Sequence, residues 1–123
     1  ARAFFESGLV KIAAQNASPA DIASLEAIVQ KMHRQRDSED FILVDMEFHG
    51  EIARISGNPI YVAISRAILE WMADYRQELL RFKARDQTLA EHEEILAWIK
   101  KRDPEGAERA MQEHLAQQVP EQE

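Results

Sequence analysis

Apolar residues recur along this chain at spacings of three and four, and strict alternation is absent, so the pattern predicts helices almost throughout. The first helix is expected from Ala1 to about Gln15, with Phe5, Leu9 and Ile12 inward. Ser18-Pro19-Ala20-Asp21 marks the next start. Ser18 can cap, Pro19 suits the first helical position, and Asp21 favours the positive end of the helix dipole. The second helix runs to about Arg36 on a stripe of Ile22, Leu25, Val29 and Met32. Ser38-Glu39-Asp40 opens the third, which carries Phe41, Val44, Phe48, Ile52 and Ile55 and stops at Gly57.

Gly57-Asn58-Pro59 reads as a compact stop and restart: a left-handed glycine, a capping Asn, and a proline in the first turn. A long fourth helix is expected from Pro59 to about Lys83, with Ile60, Ile64, Ile68, Met72, Tyr75 and Leu79 inward. Thr88-Leu89-Ala90-Glu91 has the form of a capping box for a fifth helix, which carries Leu89, His92, Leu96 and Ile99. Asp103-Pro104-Glu105 restarts the chain for a sixth, with Ala107, Met111, His114 and Leu115 inward. The polar tail from Gln117 to Glu123, interrupted by Pro120, is expected to fray. Short loops make successive helices antiparallel neighbours, so the expected fold is all-α, an antiparallel bundle of about six helices.

Composition narrows the chemistry. The 123 residues suit one domain with its own core, and 46% hydrophobic against 30% charged is a globular balance. There is no cysteine, which excludes disulfides, zinc fingers and thiolate catalysis. No apolar run reaches the roughly 18 residues a membrane span needs. With 22 acidic and 15 basic residues the net charge is −7, unsuited to gripping phosphate unaided.

The informative positions are polar residues on apolar stripes. Asp45 and His49 lie one turn apart on the third helix, on the face of Phe41, Phe48 and Ile52. His92 sits between Leu89 and Leu96 on the inward stripe of the fifth, and His114 beside Leu115 on that of the sixth. A buried carboxylate costs several kcal/mol unless it is paired or binds a cation. One carboxylate and three neutral imidazoles suit a divalent metal, zinc before nickel or manganese. The plainer alternative is that each His is a core residue bonded to a neighbouring carbonyl or carboxylate. His33, in Met32-His33-Arg34-Gln35-Arg36, reads as solvated. His-Glu-x-x-His, Glu-x-x-His, a Gly-rich phosphate loop and a nucleophile elbow are all missing.

Arg2, in register with Phe5 and Leu9, and Arg76, one turn beyond Met72, offer guanidinium forks for a carboxylate. The competing reading is an ion pair, for Arg2 with Glu6 at i,i+4. With Asn58, itself a helix cap first, they are candidate contacts for such an anion. Trp71 and Trp98 read as core or subunit contacts, and Phe4 as a residue that could face a partner subunit. Glu91, Glu93 and Glu94 read as solvated surface, with one of them available to orient His92.

Together these runs resemble a known family. Arg2-x3-Glu6, Ile12-Ala13-Ala14 and Ser18-Pro19-Ala20-Asp21-Ile22-x2-Leu25 resemble the opening of the FadR-type C-terminal ligand-binding domain (FCD) of GntR-family transcriptional regulators. The most specific match is Asp45-Met46-Glu47-Phe48-His49-x2-Ile52-Ala53-x2-Ser56-Gly57-Asn58-Pro59. Glu91-His92-x2-Ile95-Leu96 and Arg102-Asp103-x3-Ala107-x3-Met111-x2-His114-Leu115 follow in order.

The resemblance covers 1–119 and leaves a polar tail at 120–123. It implies a central metal and effector cavity, with Asp45, His49, His92 and His114 as metal ligands. It implies a small organic acid as effector, Arg2 near it, and a homodimer. DNA would be read by an N-terminal winged helix-turn-helix domain that this sequence does not contain. The expected protein is a cytoplasmic regulator and not an enzyme. The alternative is a DinB-like metal-dependent helical hydrolase, in which a three-His site activates water.

Overall fold

The computed structural model describes residues 2–72 and 85–118. Six helices are described: α1 (Arg2–Asn16), α2 (Pro19–Arg34), α3 (Ser38–Ile55), α4 (Pro59–Trp71), α5 (Arg85–Lys100) and α6 (Pro104–Gln118). No strand occurs among the described residues. The fourth-helix positions Tyr75, Arg76 and Leu79, and the tail around Pro120, lie outside them.

The boundaries follow local chemistry. Ser18 Oγ accepts from the Asp21 N–H at 3.0 Å while Asp21 Oδ2 accepts from the Ser18 N–H, a reciprocal capping box. Asp37, one residue before the expected start, caps α3 by accepting from the Glu39 N–H. Gly57, at φ +82°, takes the left-handed position that ends α3, and Asn58 Oδ1 accepts from the Ile60 N–H at 2.9 Å to start α4. The end of α2 is closed from a distance. Arg85 donates to the carbonyls of Met32, His33 and Gln35 and stacks over Phe41, so one side chain satisfies the last orphan acceptors of another helix.

The helices α2 and α3, α3 and α4, and α5 and α6 pack as sequence neighbours. The first helix departs from that scheme. It packs chiefly on α6, at the other end of the chain, and also on α3 and α5, while α2 also packs on α5. The inward stripes of α3, α5 and α6 are those expected: Phe41, Val44, Phe48, Ile52, Ile55, Leu89, Leu96, Ile99, Ala107, Met111 and Leu115 are all buried.

Three expectations are corrected. On α1 the buried face runs through Arg2, Glu6, Leu9, Val10 and Ala13, with Phe5 and Ile12 only half-buried. A helix in contact with three others is rotated to place a charged pair inward. On α4 the buried positions are Ser65 and Leu69, with Met72 buried at its end, while Ile60 and Ile64 face outward. That helix packs on α3 by one narrow side, so its two-sided apolarity misleads a stripe reading. Thr88 is not a cap: α5 is already running at Arg85, and Thr88 is buried inside it.

Two predictions follow from packing and charge. A Cβ on Gly106 would meet Trp98 ring carbons at 2.3 to 2.9 Å. The indole is flanked by the cations of Lys101 and Arg109 and leans on the core. Gly106→Ala is therefore expected to destabilise by about 1–2 kcal/mol despite its better helix propensity. Urea unfolding measures this, and Trp98→Leu in the same chain should recover part of the loss.

The second concerns Arg54, whose Nη2 lies 2.7 Å from Asp21 Oδ1 and 2.6 Å from Glu51 Oε2. The Ser18 N–H and the Arg54 guanidinium hold the Asp21 carboxyl below its usual range, and Arg54 does the same for Glu51. Carboxyls depressed in the folded state stabilise fully above the unfolded carboxyl range and lose that contribution as pH falls through the folded values. Arg54→Gln should thus flatten the loss of stability from about pH 5 downward. At pH 7 it should cost about 1 kcal/mol or less, because the guanidinium is half exposed and solvent screens it. Urea midpoints at pH 7 and pH 3 test both.

Candidate metal centre

Four helices meet at one buried cluster. α3 contributes Asp45 and His49, one turn apart on its inward face. α5 contributes His92 and α6 contributes His114, and α1 covers the group with Arg2 and Glu6. The four residues Asp45, His49, His92 and His114 each offer one ligand atom, and these atoms lie within 4.8 Å of one another. All four side chains are buried. The three imidazoles touch: ring centroids are 5.5 Å apart for His49 and His114, 4.6 Å for His92 and His114, and 5.4 Å for His49 and His92. Phe48 packs edge-on against His49 and His92 and lines the cluster with apolar surface.

The hydrogen bonds give this cluster a polarity. His49 Nδ1 faces Glu6 Oε1 at 2.5 Å, His92 Nδ1 faces the Thr88 carbonyl at 2.7 Å, and His114 Nδ1 faces Glu91 Oε1 at 2.6 Å. A carbonyl and an ionised carboxylate only accept. Each Nδ1 therefore carries the hydrogen, and in the neutral ring each Nε2 presents a lone pair. His92 Nε2 lies 2.6 Å from Asp45 Oδ1, and His49 Nε2 lies 3.3 Å from it. His49 Nε2 is buried and makes no hydrogen bond. Two imidazole nitrogens thus share one carboxylate oxygen in the interior, where a proton or a cation between them is favoured.

A cation bound about 2.0–2.2 Å from each donor needs donors within about 4.4 Å of one another, and the observed spread meets that to within about half an ångström. The donor set, carboxylate oxygen and imidazole nitrogen, suits zinc, nickel or manganese.

The other sequence candidates are placed as follows. Arg2 Nε donates to Glu6 Oε2, so the i,i+4 ion pair forms, and it forms in the interior. Asn58 is a helix cap. Arg76 lies outside the described residues. His33 is exposed and bonds Glu93 at 2.7 Å, as a solvated residue should. Glu91 does orient a histidine, but that histidine is His114, while His92 is held by its own helix backbone. Glu6 was missed as a partner of His49. Its signal lay in the spacing of Arg2, Glu6, Leu9 and Ala13, which is one helical face, but two charged residues disguise it.

The described helices bring three His and one Asp together in one buried cluster. The chain belongs to the FCD domain family, which matches residues 1–117. Among curated proteins it is similar to the HTH-type transcriptional repressor NanR of Edwardsiella tarda (strain FL6-60), 38% identical over 118 residues, with 93% of this chain and 45% of the relative covered. The protein of the same name from Citrobacter rodentium (strain ICC168) is 39% identical over 120 residues, again with 93% and 45% covered. The chain thus spans less than half the length of these relatives. Its fold is that of Streptococcus agalactiae GntR (TM-score 0.81, 23% identity, 94% of this chain and 53% of that one). It is equally that of E. coli McbR/YncC (TM-score 0.85, 23% identity, 97% and 59%). The family is a regulatory one of GntR-type transcription factors, so the domain is not an enzyme, and the hydrolase alternative is set aside. None of the helices searched among the described residues is long and apolar enough to cross a membrane.

Proposed function

We propose that this chain is the effector-sensing and dimerisation domain of a GntR-type regulator, and that Asp45, His49, His92 and His114 hold a divalent metal. The observation that supports it is the gathering of one donor atom from each of these four buried side chains within 4.8 Å, with every histidine Nδ1 held by an acceptor. The metal supplies a Lewis-acidic anchor at which a small organic acid is held. Arg2 stands near the cluster through Glu6 and is a candidate for the effector's second contact, with Asn58 and Arg76 as further candidates. DNA is read by a separate domain, in the cytoplasm, as the name of the similar repressors suggests. Effector binding alters that reading only if the effector prefers one packing of the helices over another.

Self-association is supported by an outward apolar stripe on α4. Ile60, Ile64 and Trp71 are 66%, 40% and 84% exposed, and at 3.6 residues per turn they fall within about 40° of one another. A stripe of this kind on a water-facing helix is the mark of a partner surface.

Two experiments test these points. Elemental analysis of the purified protein should find about one divalent ion per chain, lost in His114→Ala. Zinc at about 100 times its Kd should stabilise the wild type by about 2.7 kcal/mol, a rise of roughly 10 °C in Tm, and leave the variant unmoved. Absence of binding in the wild type sinks the metal, and a Tm indifferent to lactate, pyruvate and succinate in the metal-loaded protein sinks the sensor. For the dimer, light scattering after size exclusion should show a pair of chains, converted to monomer by Trp71→Asp with the helical content kept.

A further inference from the structure

The pair Arg2 and Glu6 is more deeply placed than an i,i+4 ion pair needs to be. Such pairs form readily on a helix surface, where they contribute a few tenths of a kcal/mol. Here the Arg2 and Glu6 side chains are 6% and 7% exposed, so the pair sits where desolvation costs several kcal/mol. Glu6 divides its two oxygens: Oε2 accepts from Arg2 Nε on the same helix, and Oε1 accepts from His49 Nδ1, 43 residues away on α3. Of the three imidazoles, His92 leans on a neutral carbonyl and His114 on a Glu91 whose side chain is 17% exposed. His49 alone has a carboxylate that is itself in the core. A carboxylate at Nδ1 fixes the tautomer and raises the basicity of Nε2, and the effect is least screened where water is excluded.

We propose that Glu6 is a positioning residue for the metal centre, and that Arg2 sets its polarity. Arg2 Nε can only donate, so the atom of residue 6 that faces it must be an acceptor. With a carboxylate both atoms accept, and His49 is held with its hydrogen on Nδ1 and its Nε2 lone pair toward the cluster. With a carboxamide only one atom accepts. Arg2 claims the oxygen, the NH2 group turns to His49 Nδ1, and the ring hydrogen is forced onto Nε2, where it blocks the site. An isosteric change at residue 6 therefore switches the tautomer of a ligand it never replaces. The proposal rests on the metal reading above, and its test separates the two.

The test uses the whole chain, with histidine tautomers read by long-range nitrogen–proton NMR and zinc affinity by competition with a chelator. In the wild type, zinc-free and zinc-loaded, His49 should carry hydrogen on Nδ1. In Glu6→Gln it should carry hydrogen on Nε2 in the zinc-free state, and zinc should bind 10- to 100-fold more weakly. Arg2→Leu added to Glu6→Gln lets the carboxamide turn over, so the Nδ1 hydrogen should return together with most of the affinity. A role in packing alone would give neither the tautomer switch nor this rescue. The proposal is overturned if His49 Nδ1 is bare in the wild type, if Glu6→Gln binds zinc as tightly as the wild type, or if Arg2→Leu deepens the defect. If the wild type binds no zinc, the metal fails, while the zinc-free tautomers still decide whether Arg2 sets the polarity of residue 6.

Discussion

The structure turns on one constraint: three imidazoles in one dry space, each with Nδ1 pressed against an oxygen that can only accept. That constraint fixes where the hydrogens are and therefore where the lone pairs are. With Asp45 Oδ1 against His49 and His92, the interior gathers polar groups that an apolar core holds only when they are paired. The packing around it is otherwise that of an ordinary helical core, with Phe48, Ile52, Ile95, Ile99 and Met111 fully buried. The cluster is thus the exception that the surrounding helices are arranged to hold.

Each holding residue comes from a different place in the sequence. Glu6 lies near the start, Thr88 and Glu91 lie on α5, and the bonded rings lie on α3, α5 and α6. The contact of α1 with α6 joins the two ends of the described chain, and it is what closes the bundle over the cluster. The helices α2 and α4 act as framing. The first is locked at its start by Ser18 and Asp21 and at its end by Arg85, and the second is set by Asn58. A ligand cluster spread over three helices demands that their mutual positions be set within a fraction of an ångström, and this distribution of caps does so.

Much of this was legible in the sequence, because the signals were local. Asp45 and His49 at i,i+4, and His92 and His114 within apolar stripes, are inward by periodicity, and the four side chains do gather in one buried cluster. Pro19, Gly57, Asn58 and Pro104 mark boundaries through their own backbone preferences. What was not legible depends on which side of a helix the rest of the protein chooses. Charged residues at 2 and 6 look solvated until a third helix brings His49 against them. The apolar residues of α4 occupy more than one side, so only the position of α3 decides that Leu69 goes in and Ile60 stays out. Thr88 and Glu91 have the letters of a capping box, yet the helix starts earlier and their oxygens are used on histidines instead. Glu6 and Glu91, assigned to solvent by local rules, are claimed by tertiary contacts with His49 and His114.

The same geometry couples the cluster to α1, which bears on the proposed sensing. An effector shifts an equilibrium only by the difference in its affinity for two states. On the metal reading proposed above, a ligand held between α3, α5 and α6 would meet residues from three helices at once, and repositioning of a ring would be felt along a whole helix. The fourth helix at the cluster is the first in the chain, and its tie is a charged hydrogen bond in a low-dielectric interior, which is far less forgiving of small displacements than an apolar contact. A change at His49 therefore reaches Glu6 and Arg2, at the opening turns of α1, through two directional bonds.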